Sequence, residues 1–215
     1  MKERPILFSG PMVRAILSGR KTQTRRVAKP GRDPSLLDGS WSDEYVLDPG
    51  NHGWLMRDCP YGEAGDRLWV REAFMHQPAD YCWEAGVSIP CRPAHTAYRA
   101  DFPESRPGEG WKPSIHMPRN LSRITLEIIA VRVERLQDIG DADSLKEGIN
   151  CYPFVPDDGF PVCDGYTHKQ DDGECVLWPT ARAAYKALWE EINGPGSWDT
   201  NPWVWVVEFR RIDNA

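Results

Sequence analysis

Arg123-Ile124-Thr125-Leu126-Glu127-Ile128-Ile129-Ala130-Val131-Arg132-Val133-Glu134-Arg135 is the strongest strand signal in the chain. Ile124, Leu126 and Ile128 alternate with Thr125 and Glu127, the period of a strand with one buried face. Near Ile129-Ala130 the phase slips, and Val131 and Val133 then alternate with Arg132 and Glu134. One extra residue at a β-bulge produces such a slip. Trp203 to Phe209 alternate in the same way and make a final strand. A third run, Arg67-Leu68-Trp69-Val70-Arg71, follows the turn at Gly65-Asp66. There is no internal repeat, so these distant runs must find one another by non-local pairing.

Around them lie three helix signals. Met12, Val13, Ala15, Ile16 and Leu17 follow Ser9-Gly10-Pro11. Ser9 or Gly10 caps that helix, Pro11 sits near its first position, and Gly19 stops it. Asp141 is placed to cap a helix running to Glu147, which Gly148 ends. Pro179 opens a helix in which Ala184, Tyr185, Leu188, Trp189 and Ile192 share a face, and Asn193-Gly194-Pro195-Gly196 closes it. Residues 27–64 read as loop, 73–118 as an irregular insertion with room for a short hairpin, and 150–178 as an acidic, cysteine-containing loop. The order predicts one α+β domain over 1–215: a small, partly closed, mixed β-barrel with helices at its mouth. Large insertions fall at about 27–58, 73–118 and 150–178. Regular βαβ alternation, a phosphate-cradling glycine loop and a nucleophile elbow are all missing.

Composition narrows the function. The 215 residues are 40% apolar and 27% charged, ordinary for a globular chain. No apolar run approaches the ~20 residues of a membrane span, and the N-terminus lacks a secretory apolar stretch. A cytoplasmic location without a membrane partner is expected. The net charge of −6 is uneven. Residues 1–30 carry eight cations (Lys2, Arg4, Arg14, Arg20, Lys21, Arg25, Arg26, Lys29) against Glu3 alone. An acidic remainder argues against broad coating of a nucleic-acid backbone. The basic segment reads either as a patch for one anionic group or short nucleic acid, or as solvated helix-end charge. Six cysteines include no Cys-x-x-Cys pair. Cys151, Cys163, His168 and Cys175 are a weak zinc set, and unpaired thiols in a loop are the other reading.

The densest polar cluster is Ser18-Gly19-Arg20-Lys21-Thr22-Gln23-Thr24-Arg25-Arg26, directly after the first helix. Gly19 lets the chain turn sharply, and a twist or bulge then brings Lys21 toward Thr24. A desolvated lysine beside a hydroxyl has a lowered pKa and can serve as a base. The same residues also suit a helix C-terminus with basic side chains on its dipole.

The Leu-Ser-Gly-Arg-Lys-Thr-x-Thr-x-Arg run, the Gly65-Asp66-x-Leu68 strand entry and the closing Val206-Val207-Glu208-Phe209-Arg210 together resemble the ASCH domain. The Trp69-Val70-Arg71-Glu72 and Asn201-to-Phe209 segments resemble the longer members common in phage and prophage genomes. That resemblance covers the chain end to end and implies a PUA-like β-barrel. One short member removes the acetyl group of N(4)-acetylcytidine. Carried over, its proposed catalytic set falls on Lys21, Thr24 and Glu147, with Asp143 as a rival for the acid. The implied reaction is acyl transfer without metal or cofactor. Thr24, or a water it positions, attacks the carbonyl; Lys21 activates it or holds the oxyanion; Glu147 protonates the leaving amine.

Other residues extend this set. Trp69 or Trp111 offers a face for a planar base, although Trp69 is equally a core residue. Arg71 or Arg119 suits a phosphate or base edge, and Arg20, Arg26, Glu72 and His116 complete the candidate substrate contacts. Trp203 and Trp205 share a strand face and read as core. The resulting expectation is an amidohydrolase-like enzyme on an N-acylated nucleobase or nucleoside. The alternatives are an RNA-binding module without chemistry, and a ribonuclease using Lys21, Arg71 and His116.

Overall fold

A computed structural model describes residues 1–29, 36–78, 80–84, 87–92, 94–104, 110–154, 163–169 and 176–212. In chain order the elements are β1 (Glu3–Leu7), α1 (Gly10–Leu17), β2 (Gln23–Val27), α2 (Asp43–Val46), α3 (His52–Arg57) and β3 (Arg67–Arg71). Then come β4 (Phe74–Gln77), β5 (Asp80–Glu84), β6 (Val87–Arg92), β7 (His95–Tyr98) and β8 (Thr125–Arg135). The chain ends with α4 (Asp141–Lys146), β9 (Asn150–Phe154), β10 (Cys163–Thr167), α5 (Ala181–Asn193) and β11 (Trp203–Ile212). No described helix is long and apolar enough to cross a membrane.

Five strands form the main sheet in the order β1-β3-β8-β11-β2. β1 and β3 are parallel, and the other neighbours are antiparallel. The bulge lies where the phase slip places it. Glu208 faces Ala130 and Phe209 faces Ile128, so Ile129 is the unpaired extra residue, and it is exposed.

β11 is buried on both faces. Val204 and Val206 pack with Tyr185, Trp189 and Trp198 beneath α5. Trp203 and Trp205 pack with Val46 and Leu55, as their core reading requires. Val207 and Phe209 meet Ile6, Val13, Ile16, Leu68 and Leu126 under α1.

The fold is α+β around an open sheet. Its ladder does not close into a barrel among the described residues, because β1 and β2 remain as edges. A side chain spans them: Arg26 Nη2 donates to the Leu7 carbonyl at 2.6 Å.

Several segments differ from their sequence reading. The 27–64 stretch contains α2 and α3, which are too short to show a period but donate Val46 and Leu55 to the core. Hairpin-like pairs β4–β7 and β5–β6 occupy 73–118, and β9–β10 occupies part of 150–178. β1 gave no strand signal because Pro5 interrupts it, and an edge position tolerates that proline. Gly140, not Asp141, caps α4. Asp141 Oδ1 instead accepts from the Arg182 amide at 2.8 Å, tying α4 to α5. α5 begins at Ala181 under a Thr180 cap, and Ile192 lies exposed at its far end.

Candidate active site

The end of α1 aims Lys21 inward. Gly19 adopts a φ of +76°, and the amides of Arg20 and Lys21 both donate to the Ala15 carbonyl, at 2.9 and 3.0 Å. The next residue is stitched on both sides. The Thr22 amide donates to the Lys146 carbonyl at 2.9 Å, and the Thr22 carbonyl accepts from the Phe209 amide at 2.9 Å. Lys21 is thus held between the end of α1 and the end of α4, with its side chain 0% exposed.

Glu147 caps the C-terminus of α4, and Gly148 follows at φ +99°. Lys21 Nζ donates to Glu147 Oε2 and to the Glu147 carbonyl, each at 2.7 Å. The second bond satisfies a carbonyl left over at the helix end, where a cation also complements the dipole. Burial lowers the Lys21 pKa from the ordinary lysine value, and the charge of Glu147 opposes that shift.

A buried charge network backs this pair. Arg25 Nη1 reaches Glu147 Oε1 at 3.3 Å, and Nη2 reaches Glu134 at 2.9 Å and Asp143 at 3.1 Å. Gln23, with its amide oxygen turned to Arg25, accepts from Nη1 at 2.6 Å. Arg132 ties Asp143, Glu134 and Glu208 together. Lys21, Arg25, Arg132 and Lys146 therefore face Glu147, Glu134, Asp143 and Glu208, a balanced set. Three of the eight N-terminal cations, Lys21, Arg25 and Arg4, are thus paired with carboxylates, the last with Asp66 at 2.9 Å.

A cleft of about 330 Å³ opens onto this network. Thr24, Arg25, Arg26 and Glu147 form its polar wall, and Phe8, Tyr185, Leu188 and Trp189 its apolar one. The Thr24 hydroxyl has no hydrogen-bond partner among the described residues. Burial, reinforced by the nearby Glu147 charge, raises the Tyr185 pKa well above the usual phenol value, so its hydroxyl keeps its proton. The Phe8 ring lies beneath two cations, 5.7 Å from Lys21 Nζ and 5.2 Å from the Arg26 guanidinium.

The candidates from sequence divide sharply. Lys21 and Glu147 are in direct contact, and Thr24 and Arg26 line the same cleft. Both hydrogen bonds of Lys21 Nζ go to Glu147, so the expected Lys21–Thr24 approach is not a hydrogen bond. Asp143 sits behind Glu147, on Arg25, Arg132 and Lys146, and does not line the cleft. Arg20 faces a separate depression with Lys146 and Asn150.

The remaining candidates are occupied elsewhere. Trp69 is buried in β3 and carries the Arg71 guanidinium on its face at 4.7 Å. Glu72 is held by Arg123 at 2.9 and 3.0 Å. Arg119 pairs with Glu3 at 3.0 Å, and His116 is exposed on the turn Ser114–His116. Neither Arg71 nor His116 lines the Glu147 cleft, and neither Trp69 nor Trp111 does. The aromatic rings that do are Phe8, Tyr185 and Trp189. Sequence reading placed Tyr185 and Trp189 on a core-facing helix stripe, which they are, and a stripe does not reveal that one edge borders a cleft.

The zinc reading lies partly outside the described residues, which exclude Cys175 and say nothing of the Cys163 side chain. His168 Nε2 contacts Glu191 at 2.9 Å, and Cys151 is an exposed free thiol. Among the described residues no group of three metal-ligating side chains converges. No family model, curated protein or solved structure matches this chain.

Proposed function

We propose that the protein is an amidohydrolase acting on an N-acylated nucleobase or nucleoside of the N(4)-acetylcytidine type, built on an ASCH-like, PUA-related frame. The observation carrying this reading is one cleft lined both by Glu147, which Lys21 holds, and by Thr24, whose hydroxyl has no hydrogen-bond partner among the described residues. The cleft has the size of a small ligand and sets aromatic walls, Phe8, Tyr185 and Trp189, against Thr24, Arg25, Arg26 and Glu147, a combination that suits a small-molecule site.

The lining of the cleft supports a division of labour. Glu147 lines the cleft and Lys21 does not, so Glu147 is the group that exchanges protons with substrate. Glu147 takes the proton from the attacking oxygen, that of Thr24 or of a water bound to it. The attack converts the acyl carbonyl to a tetrahedral oxyanion. Glu147 then returns the proton to the exocyclic nitrogen as the C–N bond breaks, releasing the amine. If Thr24 itself attacks, water later hydrolyses the acyl-threonine. Lys21 positions Glu147 by its two bonds.

A second reading has its own support. Lys21 is wholly enclosed, and an enclosed ion pair also serves simply to join the end of α1 to the end of α4 around a recognition cleft. Incubation with N(4)-acetylcytidine and chromatography of the products separate the two. Release of cytidine and acetate, lost in Glu147→Gln, supports hydrolysis. Binding of the nucleoside without turnover assigns a recognition module, and cleaved RNA assigns a nuclease.

A further inference from the structure

A second cleft, of about 320 Å³, opens beside the first and shares Phe8, Ser9 and Ser114 with it. Two arginines line it. Arg14 comes from α1 and donates through Nη1 to the Ala100 carbonyl at 3.3 Å. Arg99 opens the turn Arg99–Asp101; it is half-buried, and its guanidinium meets no carboxylate among the described residues. Glu72, the one carboxylate lining this cleft among the described residues, is paired with Arg123, which is shared with Asp101 at 2.7 and 2.8 Å. Among the described residues three arginines, Arg14, Arg99 and Arg123, thus stand at or beside this cleft with two carboxylates, Glu72 and Asp101, in a molecule that is net anionic. The Ser9 hydroxyl at the start of α1 makes no capping bond and lies on the boundary of the two clefts.

Guanidinium groups in a partly desolvated cleft match tetrahedral oxyanions, because their planar N–H forks bond two oxygens at once. We propose that the second cleft is a phosphate subsite: the ligand of the first cleft is a phosphorylated nucleoside, with its base against Phe8 and Tyr185 and its phosphate on Arg14 and Arg99. This rests on the reading of the first cleft as a nucleobase site. The phosphate belongs either to a mononucleotide or to the backbone of an RNA strand. The basic residues expected from sequence to meet a phosphate, Arg71 and Arg119, are engaged elsewhere, and the 73–118 insertion supplies Arg99 in their place.

Calorimetric titration of the full chain with cytidine, cytidine 5′-monophosphate and a tricytidylate tests this without needing turnover. The monophosphate is expected to bind about tenfold or more tighter than cytidine. Arg99→Ala should close most of that gap, and Arg57→Ala, which removes a cation far from either cleft, should leave it. A trinucleotide tighter than the monophosphate places the phosphate in a strand, and equal affinity places it in a mononucleotide. Equal affinity for cytidine and its monophosphate, no binding of the monophosphate, or a gap that survives Arg99→Ala overturns the subsite. Because only binding is read, absence of deacylation leaves this outcome intact, and the reverse also holds.

Discussion

Lys21 Nζ donates to two oxygens of Glu147, the carboxylate Oε2 and the backbone carbonyl, each at 2.7 Å. One side chain thereby fixes both the rotamer of the acid and the end of the helix that carries it. The pair is enclosed, and Arg25 links its carboxylate to Glu134 and Asp143. A carboxylate held in this way keeps its place at the cleft without reorganising, which supports its proposed role.

Removing the cation exposes what the pair contributes to stability. Lys21→Met leaves the Glu147 carboxylate, among the described residues, with Arg25 Nη1 alone, at 3.3 Å. Breaking one side of a buried pair typically costs about 3–5 kcal/mol. Denaturant unfolding should show a loss of that order, and the double variant Lys21→Met/Glu147→Leu should recover part of it. A loss under about 1 kcal/mol would place the pair in the range of exposed ion pairs instead.

Gly148 holds the corner next to Glu147. Its φ is +99°, and an added Cβ would lie 3.1 Å from Ala15 Cβ and 3.3 Å from Lys21 Cβ. Gly148→Ala combines backbone strain with overpacking and should cost about 1–3 kcal/mol. It should also shift α1 against α4 and weaken ligand binding in the first cleft. A variant with wild-type melting and binding would show that this corner is not under constraint.

Asp143 gives the network its acid sensitivity. Burial alone would raise its pKa, but hydrogen bonds from Lys146 and Arg25 outweigh it and hold the carboxyl below the usual aspartate range. A lowered folded pKa contributes stability above the unfolded value of about 3.9 and loses it as pH falls through the folded value. Asp143→Asn should therefore be less stable than the wild type at neutral pH, with the gap narrowing below about pH 4. Urea titrations across that range check this, and a gap constant with pH contradicts it.

Glu72 depends on Arg123 in the same manner. The carboxylate is 2% exposed, burial raises its pKa, and the Arg123 bonds oppose that shift. Arg123→Gln should destabilise the fold by about 3 kcal/mol or more. Glu72→Gln should cost less, since it removes the buried charge itself. The reverse ranking in thermal melts would mean that Glu72 is stabilised by something other than Arg123.

The sheet strands were legible in the sequence where a strand had one clear face or a long apolar run. Ile129 shows this best, because a single phase slip was enough to locate the bulge. Pro5 hid β1, and α2 and α3 are single short turns without periodicity. The Lys21–Glu147 contact spans residues far apart in the chain, and no local pattern encodes such a pair. Only the family resemblance set those two residues side by side. Arg71 illustrates the opposite failure. Alternation placed it beside Trp69 on a strand, but it does not say that the guanidinium lies on that ring at 4.7 Å rather than facing a ligand.

Thr24→Val offers the most direct test of the proposed chemistry. The Thr24 hydroxyl has no partner among the described residues, and valine keeps its shape and strand preference. The variant should therefore fold and melt like the wild type. Its rate of N(4)-acetylcytidine deacylation, measured by chromatography of the cytidine released, should fall by about a hundredfold or more if that hydroxyl attacks or positions the attacking water. Deacylation by Thr24→Val at the wild-type rate, or none by the wild type itself, would contradict the account.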